Sequence, residues 1–169
     1  MLRKPALHQI LGDADAKEFH LHYQRMMKIR LDFHGLEVPG MRDGQIWMPA
    51  CHHASHAYAQ AFGVQVVDGE KVFLTSSRTW FFGRCITGKV SRYSHSWNVF
   101  EFESGKKVIF DLIPDETCSL TPIVLEYPHP AYTEPRDGVA KRCIREKLSQ
   151  KQEIERIILL SKEFKRIAG

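Results

Sequence analysis

A cysteine, a histidine and an aspartate at positions 51, 95 and 111 have the types and spacing for nucleophilic acyl chemistry. Cys51 stands in Pro49-Ala50-Cys51-His52-His53-Ala54-Ser55-His56-Ala57-Tyr58-Ala59. Alanines at 54, 57, 59 and 61 favour a helix, a proline just before its start is tolerated, and Gly63 fits its end after Phe62. The thiol then lies in the first turn, among backbone N–H groups with no partner in the helix and at the positive end of the helix dipole. Both favour the thiolate, the form that attacks a carbonyl carbon. Taken alone, Cys51 would be a small buried hydrophobe, the fate of most free cysteines.

A base and an orienting group change that reading. In His95-Ser96-Trp97-Asn98-Val99-Phe100-Glu101-Phe102 and Lys107-Val108-Ile109-Phe110-Asp111, two apolar-rich runs flank the turn signal Ser104-Gly105-Lys106. The pattern predicts a β-hairpin with His95 opening one strand and Asp111 closing the other. Antiparallel pairing brings those two ends together. A carboxylate on one ring nitrogen fixes the imidazole tautomer and leaves the other nitrogen for the thiol proton. Trp97 is expected to pack beneath the imidazole, whereas Asn98, on the opposite strand face, receives no role.

The order Cys, His, Asp, the His-x-Trp strand opening and the apolar-Phe-Asp strand ending resemble the transglutaminase-like superfamily of papain-type enzymes, over about residues 45–115. The resemblance implies Cys51 as nucleophile, His95 as general base and acid, and Asp111 as orienting carboxylate. It implies no cofactor, and a peptide, protein or small amide as substrate. Gln45, six residues before Cys51, matches a papain-type oxyanion glutamine, and Trp47 is a candidate wall of the same site. The implied fold is α+β: a papain/transglutaminase-like core with an N-terminal helix, a central active-site helix packed on an antiparallel sheet, and a C-terminal helical segment.

Metal binding is the competing chemistry at the centre. His52 and His56 share a helix face at i, i+4, as in zinc sites built on a helix, but no further ligand at fixed spacing completes a tetrahedron. His20 and His22 lie two apart, on different faces of the first helix, and read as surface residues.

The elements that must position these residues follow from pattern. Asp13 or Asp15 is placed to cap a helix from about 14 to 31, and residues 34–48 carry His34-Gly35, Pro39-Gly40 and Asp43-Gly44 turn signals. Val64–Val67 and Val72–Thr75 read as a hairpin around Asp68-Gly69-Glu70. The Trp80-Phe81-Phe82 run reads as core or pocket wall, 84–90 as a strand, and Ser91-Arg92-Tyr93-Ser94 as a loop delivering His95. Prolines at 114, 122, 128, 130 and 135 predict irregular chain with a short edge strand at 123–125. Residues 139–167 carry helical periodicity, with a break near Ser149.

At 169 residues the chain suits one domain with a core that needs no disulfide staples. Its four cysteines form no CxxC pair, which points to a reduced, cytoplasmic setting, and Cys85, Cys118 and Cys143 read as structural. No apolar run approaches the roughly 18 residues of a membrane span. Nine Lys and Arg stand against four Glu between 141 and 166, but alternating signs without interleaved aromatics describe a solvated helix face rather than a nucleic-acid surface. The expected activity is cysteine peptidase or amidase chemistry through a thioester. The alternatives are transglutaminase-like or arylamine-acetyltransferase-like transfer, or an inactive papain-like binding module.

Overall fold

A computed structural model describes residues 11–32, 51–74, 79–81, 84–86, 90–112, 123–134 and 138–169. In chain order the elements are α1 (Asp13–Asp32), α2 (Cys51–Phe62), β1 (Gln65–Leu74), β2 (Thr79–Phe81), β3 (Arg84–Ile86), β4 (Val90–Glu101), β5 (Lys107–Asp111), β6 (Ile123–Glu126), β7 (Tyr132–Thr133), α3 (Val139–Leu148) and α4 (Lys151–Ala168). Five strands form one antiparallel sheet in the order β6-β5-β4-β1-β7, and β2 and β3 pair separately. The fold class is α+β.

The pleat sorts side chains to two faces, since successive residues of a strand point opposite ways. One face carries Asp68, Ser96, Asn98, Phe100, Val108, Phe110 and Val124, in the register Asp68↔Ser96, Asn98↔Phe110 and Phe110↔Val124. Helices cover it. Phe19, Met26 and Ile29 of α1, Ala54, Ala57 and Tyr58 of α2, and Leu160 and Phe164 of α4 join Val108 and Phe110 in one apolar cluster. Tyr58 is its centre, with ring centroids 5.2 Å from Phe110 and 6.5 Å from Phe164. A fully buried aromatic ring contributes about 1.5–3 kcal/mol, so this helix-covered face holds much of the stability. The opposite face carries Val67, Trp97, Val99, Ile109 and Tyr132 in a second cluster, together with His95 and Asp111.

Helix α2 starts and stops where expected. Its first residue is Cys51, and Gly63 ends it in a left-handed conformation (φ 70°) with its N–H on the Ala59 carbonyl, a geometry glycine adopts without Cβ strain. The β4–β5 hairpin turns through Ser104 and Gly105, with Phe102 and Lys106 bonded across it. The edge strand near 123, and two helices broken at Ser149-Gln150, also stand where the pattern put them.

Two expectations fail. Asp68-Gly69-Glu70 is no turn: β1 runs straight through it and pairs with β4 from Gln65↔Val99 to Leu74↔Val90. Gly69 is there because a Cβ would lie 2.5 Å from the Thr133 carbonyl oxygen and 2.6 Å from the Trp97 ring. Glycine in a strand marks such a close approach as readily as a bend. Likewise Ser91–Ser94 is strand, the first third of β4, held by ten consecutive pairs with β1. The two-residue β7, which brings Tyr132 to Lys71, was hidden in the proline-rich stretch.

Candidate active site

Asp111 closes β5 on the same sheet face as His95 of β4, one pair beyond Asn98↔Phe110. The His95 Nε2–H donates to Asp111 Oδ2 at 2.7 Å, both side chains essentially inaccessible to water. Trp97, two residues along, stacks on the imidazole at 6.3 Å and 18° between planes, as expected for a ring that excludes solvent from the pair. With Nε2 committed to the carboxylate, Nδ1 is the nitrogen left for the thiol.

The same carboxylate oxygen accepts two further bonds that the sequence reading did not find. Lys71 Nζ donates at 3.0 Å and Tyr132 Oη at 2.7 Å, and the ammonium lies 4.9 Å from the centre of the Tyr132 ring. Burial alone would raise the Asp111 carboxyl. The His95 charge and hydrogen bond, then Lys71 and Tyr132, hold it well below the usual carboxylate range. For His95, burial opposes the charged ring, but the Asp111 charge and hydrogen bond, with a contribution from Cys51, raise its pKa to about 9.

Cys51 is partly buried at the start of α2, whose first turn has no acidic residue to offset the dipole. Burial would push the thiol up. Hydrogen bonding to His52 and His95, with their charges, brings it down to about 6. The thiolate–imidazolium pair is therefore the state between about pH 6 and 9.

A second buried network meets the thiol through His52. His52 Nδ1 and Ser96 Oγ are 2.7 Å apart, Ser96 Oγ donates to Asp68 Oδ1 at 2.6 Å, and His56 Nε2–H donates to the same oxygen at 2.8 Å. The carboxylate only accepts, so the single Ser96 proton goes to Asp68 and the serine oxygen accepts from His52 Nδ1–H. Burial would raise the Asp68 carboxyl, but the bonds from His56 and Ser96 lower it. His52 and His56 do share a helix face, but both are engaged with the sheet through Ser96 and Asp68. Among the described residues, no group of three or more His, Cys, Asp or Glu side chains is placed to hold a metal ion.

Asn98 has a role after all: its Nδ2 donates to the carbonyls of Ser55 at 3.0 Å and Gln65 at 3.2 Å, while Ser55 Oγ donates to the Ser96 carbonyl at 2.8 Å. These bonds dock the first turns of α2 on β4. On the far side of α2, His53 Nε2 bonds Glu153 of α4, whose other oxygen takes Arg156 Nη1 at 2.7 Å. Cys143 is exposed on α3, away from any such setting. Gln45, Trp47 and Cys118 lie outside the described residues, as do the side chains of Trp80, Phe81 and Cys85.

The signal for the missed residues was the strand period itself. Had β1 been carried through Asp68-Gly69-Glu70, alternation would have put Asp68 and Lys71 on opposite sheet faces, Asp68 with Ser96 and Lys71 with His95. No protein-family model, curated protein or solved structure matches this chain. Among the described residues, no helix is long and apolar enough to cross a membrane.

Proposed function

We propose that this protein is a thiol-dependent acyl-transfer enzyme of transglutaminase-like, papain-type architecture, most simply a peptidase or amidase. The observation that carries the reading is the buried His95–Asp111 bond of 2.7 Å, with a thiol at a helix start interacting with the same imidazole. Cys51 thiolate attacks the acyl carbon, the C=O electrons move to oxygen and return, and the bond to the leaving group breaks. His95 gives that group its Nδ1 proton, and a Cys51 thioester remains. Water then yields a carboxylic acid, or an amine yields an amide. A peptide, protein or small amide is the substrate class, and a reduced, cytoplasmic compartment suits a free reactive thiol.

Limiting iodoacetamide followed by peptide mass spectrometry tests the reading. Cys51 should be modified well ahead of the more exposed Cys143, and His95→Ala should remove that preference. Equal labelling of the two in the wild type would favour an inactive papain-like module instead.

A further inference from the structure

The Lys71 ammonium, on a side chain only 9% exposed, bonds the same Asp111 oxygen that His95 and Tyr132 share. Strand pairing brings it there: Lys71 of β1 lies opposite Tyr132 of β7, and Gly69, two residues along β1, lies opposite His95 of β4. Lysine is seldom buried unless paired, and exchanging a buried ion pair for well-packed apolar residues is often neutral or stabilising. Stability alone therefore does not account for an ammonium at this position. Its charge does bear on the imidazole, because two cations bonded to one carboxylate oxygen repel each other, and little water is present to screen them. The groups that face His95 are Asp111 from β5, Lys71 from β1, Tyr132 from β7 and the Cys51 thiol from α2. Asp68, Ser96, His52 and His56 form their own network on the opposite face of the sheet.

Resting on the thiol-enzyme reading, we propose that Lys71 is a positioning residue of acyl transfer, one that acts through Asp111 to make the His95 imidazolium a stronger acid toward the leaving group. As sulfur bonds the acyl carbon, the negative charge passes to the carbonyl oxygen. When those electrons return, the bond to the leaving group breaks with its electron pair on the leaving atom, which takes the Nδ1 proton of His95. Asp111 then faces a neutral imidazole, and Lys71 is the cation that still balances the carboxylate. Without Lys71 the buried carboxylate would lose that balance at the step that releases the proton, and the ring would hold its proton more tightly. Tyr132 donates to the same oxygen but brings no charge, so its share in this effect is smaller.

The test is a pH titration of the His95 ring by NMR on histidine-labelled protein, its signal identified by its loss in His95→Gln. In Lys71→Met the His95 midpoint should rise by about one pH unit or more, because a neighbouring positive charge is gone. Lys71→Arg should hold it near the wild-type value, and Tyr132→Phe should raise it less than Lys71→Met does. Should near-ultraviolet circular dichroism show Lys71→Met unfolded, Lys71→Gln carries the same expectation with a neutral donor in place. Acetylation of Cys51 by two esters gives the chemical readout: p-nitrophenolate leaves without a proton, whereas the phenolate of phenyl acetate needs one. The rate with phenyl acetate relative to p-nitrophenyl acetate should fall about threefold or more in Lys71→Met and return in Lys71→Arg. An unmoved His95 midpoint in a folded variant, or an equal fall with both esters, would overturn the role of Lys71 and leave the thiol enzyme standing. A wild type whose Cys51 neither ester acetylates would overturn the thiol-enzyme reading and this role with it.

Discussion

At Cys51 and His95 two opposed titrations set the pH range of the thiolate–imidazolium pair. The thiol titrates near 6 and the imidazole near 9, each moved by the other and by its hydrogen bonds. Alkylation needs only the thiolate, so its rate should rise as pH passes about 6 and then level. Acyl transfer also needs the proton on His95, so it should fall again as pH passes about 9, giving a bell. In His95→Ala the alkylation midpoint should climb toward the free thiol value of about 8.5. The Asp111 carboxylate is a second point of leverage, because one oxygen serves His95, Lys71 and Tyr132 together. Asp111→Asn keeps the shape but strands a buried ammonium; urea unfolding should show a loss of about 3–5 kcal/mol, with transfer down by about 10⁴. In the wild type the carboxyl is depressed, so its contribution to stability is present above about pH 4 and is lost only as pH falls toward its folded value.

Among the elements, β1 and β4 carry most of the geometry, and they show what sequence pattern can and cannot convey. Gly69→Ala would set a Cβ against backbone of β7 and the Trp97 ring, so the strands must part there. A fall of about 1–3 kcal/mol, read as a lower Tm with a loss of the near-ultraviolet Trp signal, is the expected result. That same glycine misled the sequence reading, because Asp-Gly before a β-branched run signals a turn only when no neighbouring strand claims the backbone. Helix α2 and the β4–β5 hairpin were legible since their ends are written locally, in Gly63, Ser104-Gly105 and the alternating apolar residues between His95 and Asp111. The His95–Asp111 pair followed from them. Lys71, Tyr132, Ser96 and Asp68 were not legible, because each joins the site through pairing between segments far apart in the chain. Nothing local to Ser96 distinguishes it from any other strand serine.

Across the molecule, α4 packs chiefly on α2, and the apolar cluster runs from Leu11 to Ala168. Phe164 is fully buried against Tyr58, so Phe164→Ala should cost about 3–5 kcal/mol in chemical denaturation and loosen α2 as a whole. The Glu153 bond to His53 ties the same helix to the first turn of α2, two residues from Cys51. Synthesis runs from the N-terminus, so a ribosome has already made Cys51, His95 and Asp111 while residues 151–168 are still to come. At that stage α2 lacks the cover that α4 gives it. The seating of α2 thus depends in part on a contact 100 residues away in sequence, between His53 and Glu153. Stalled nascent chains that carry residues 1–145 outside the ribosome tunnel should alkylate Cys51 more slowly than chains stalled late enough to carry α4 outside it as well.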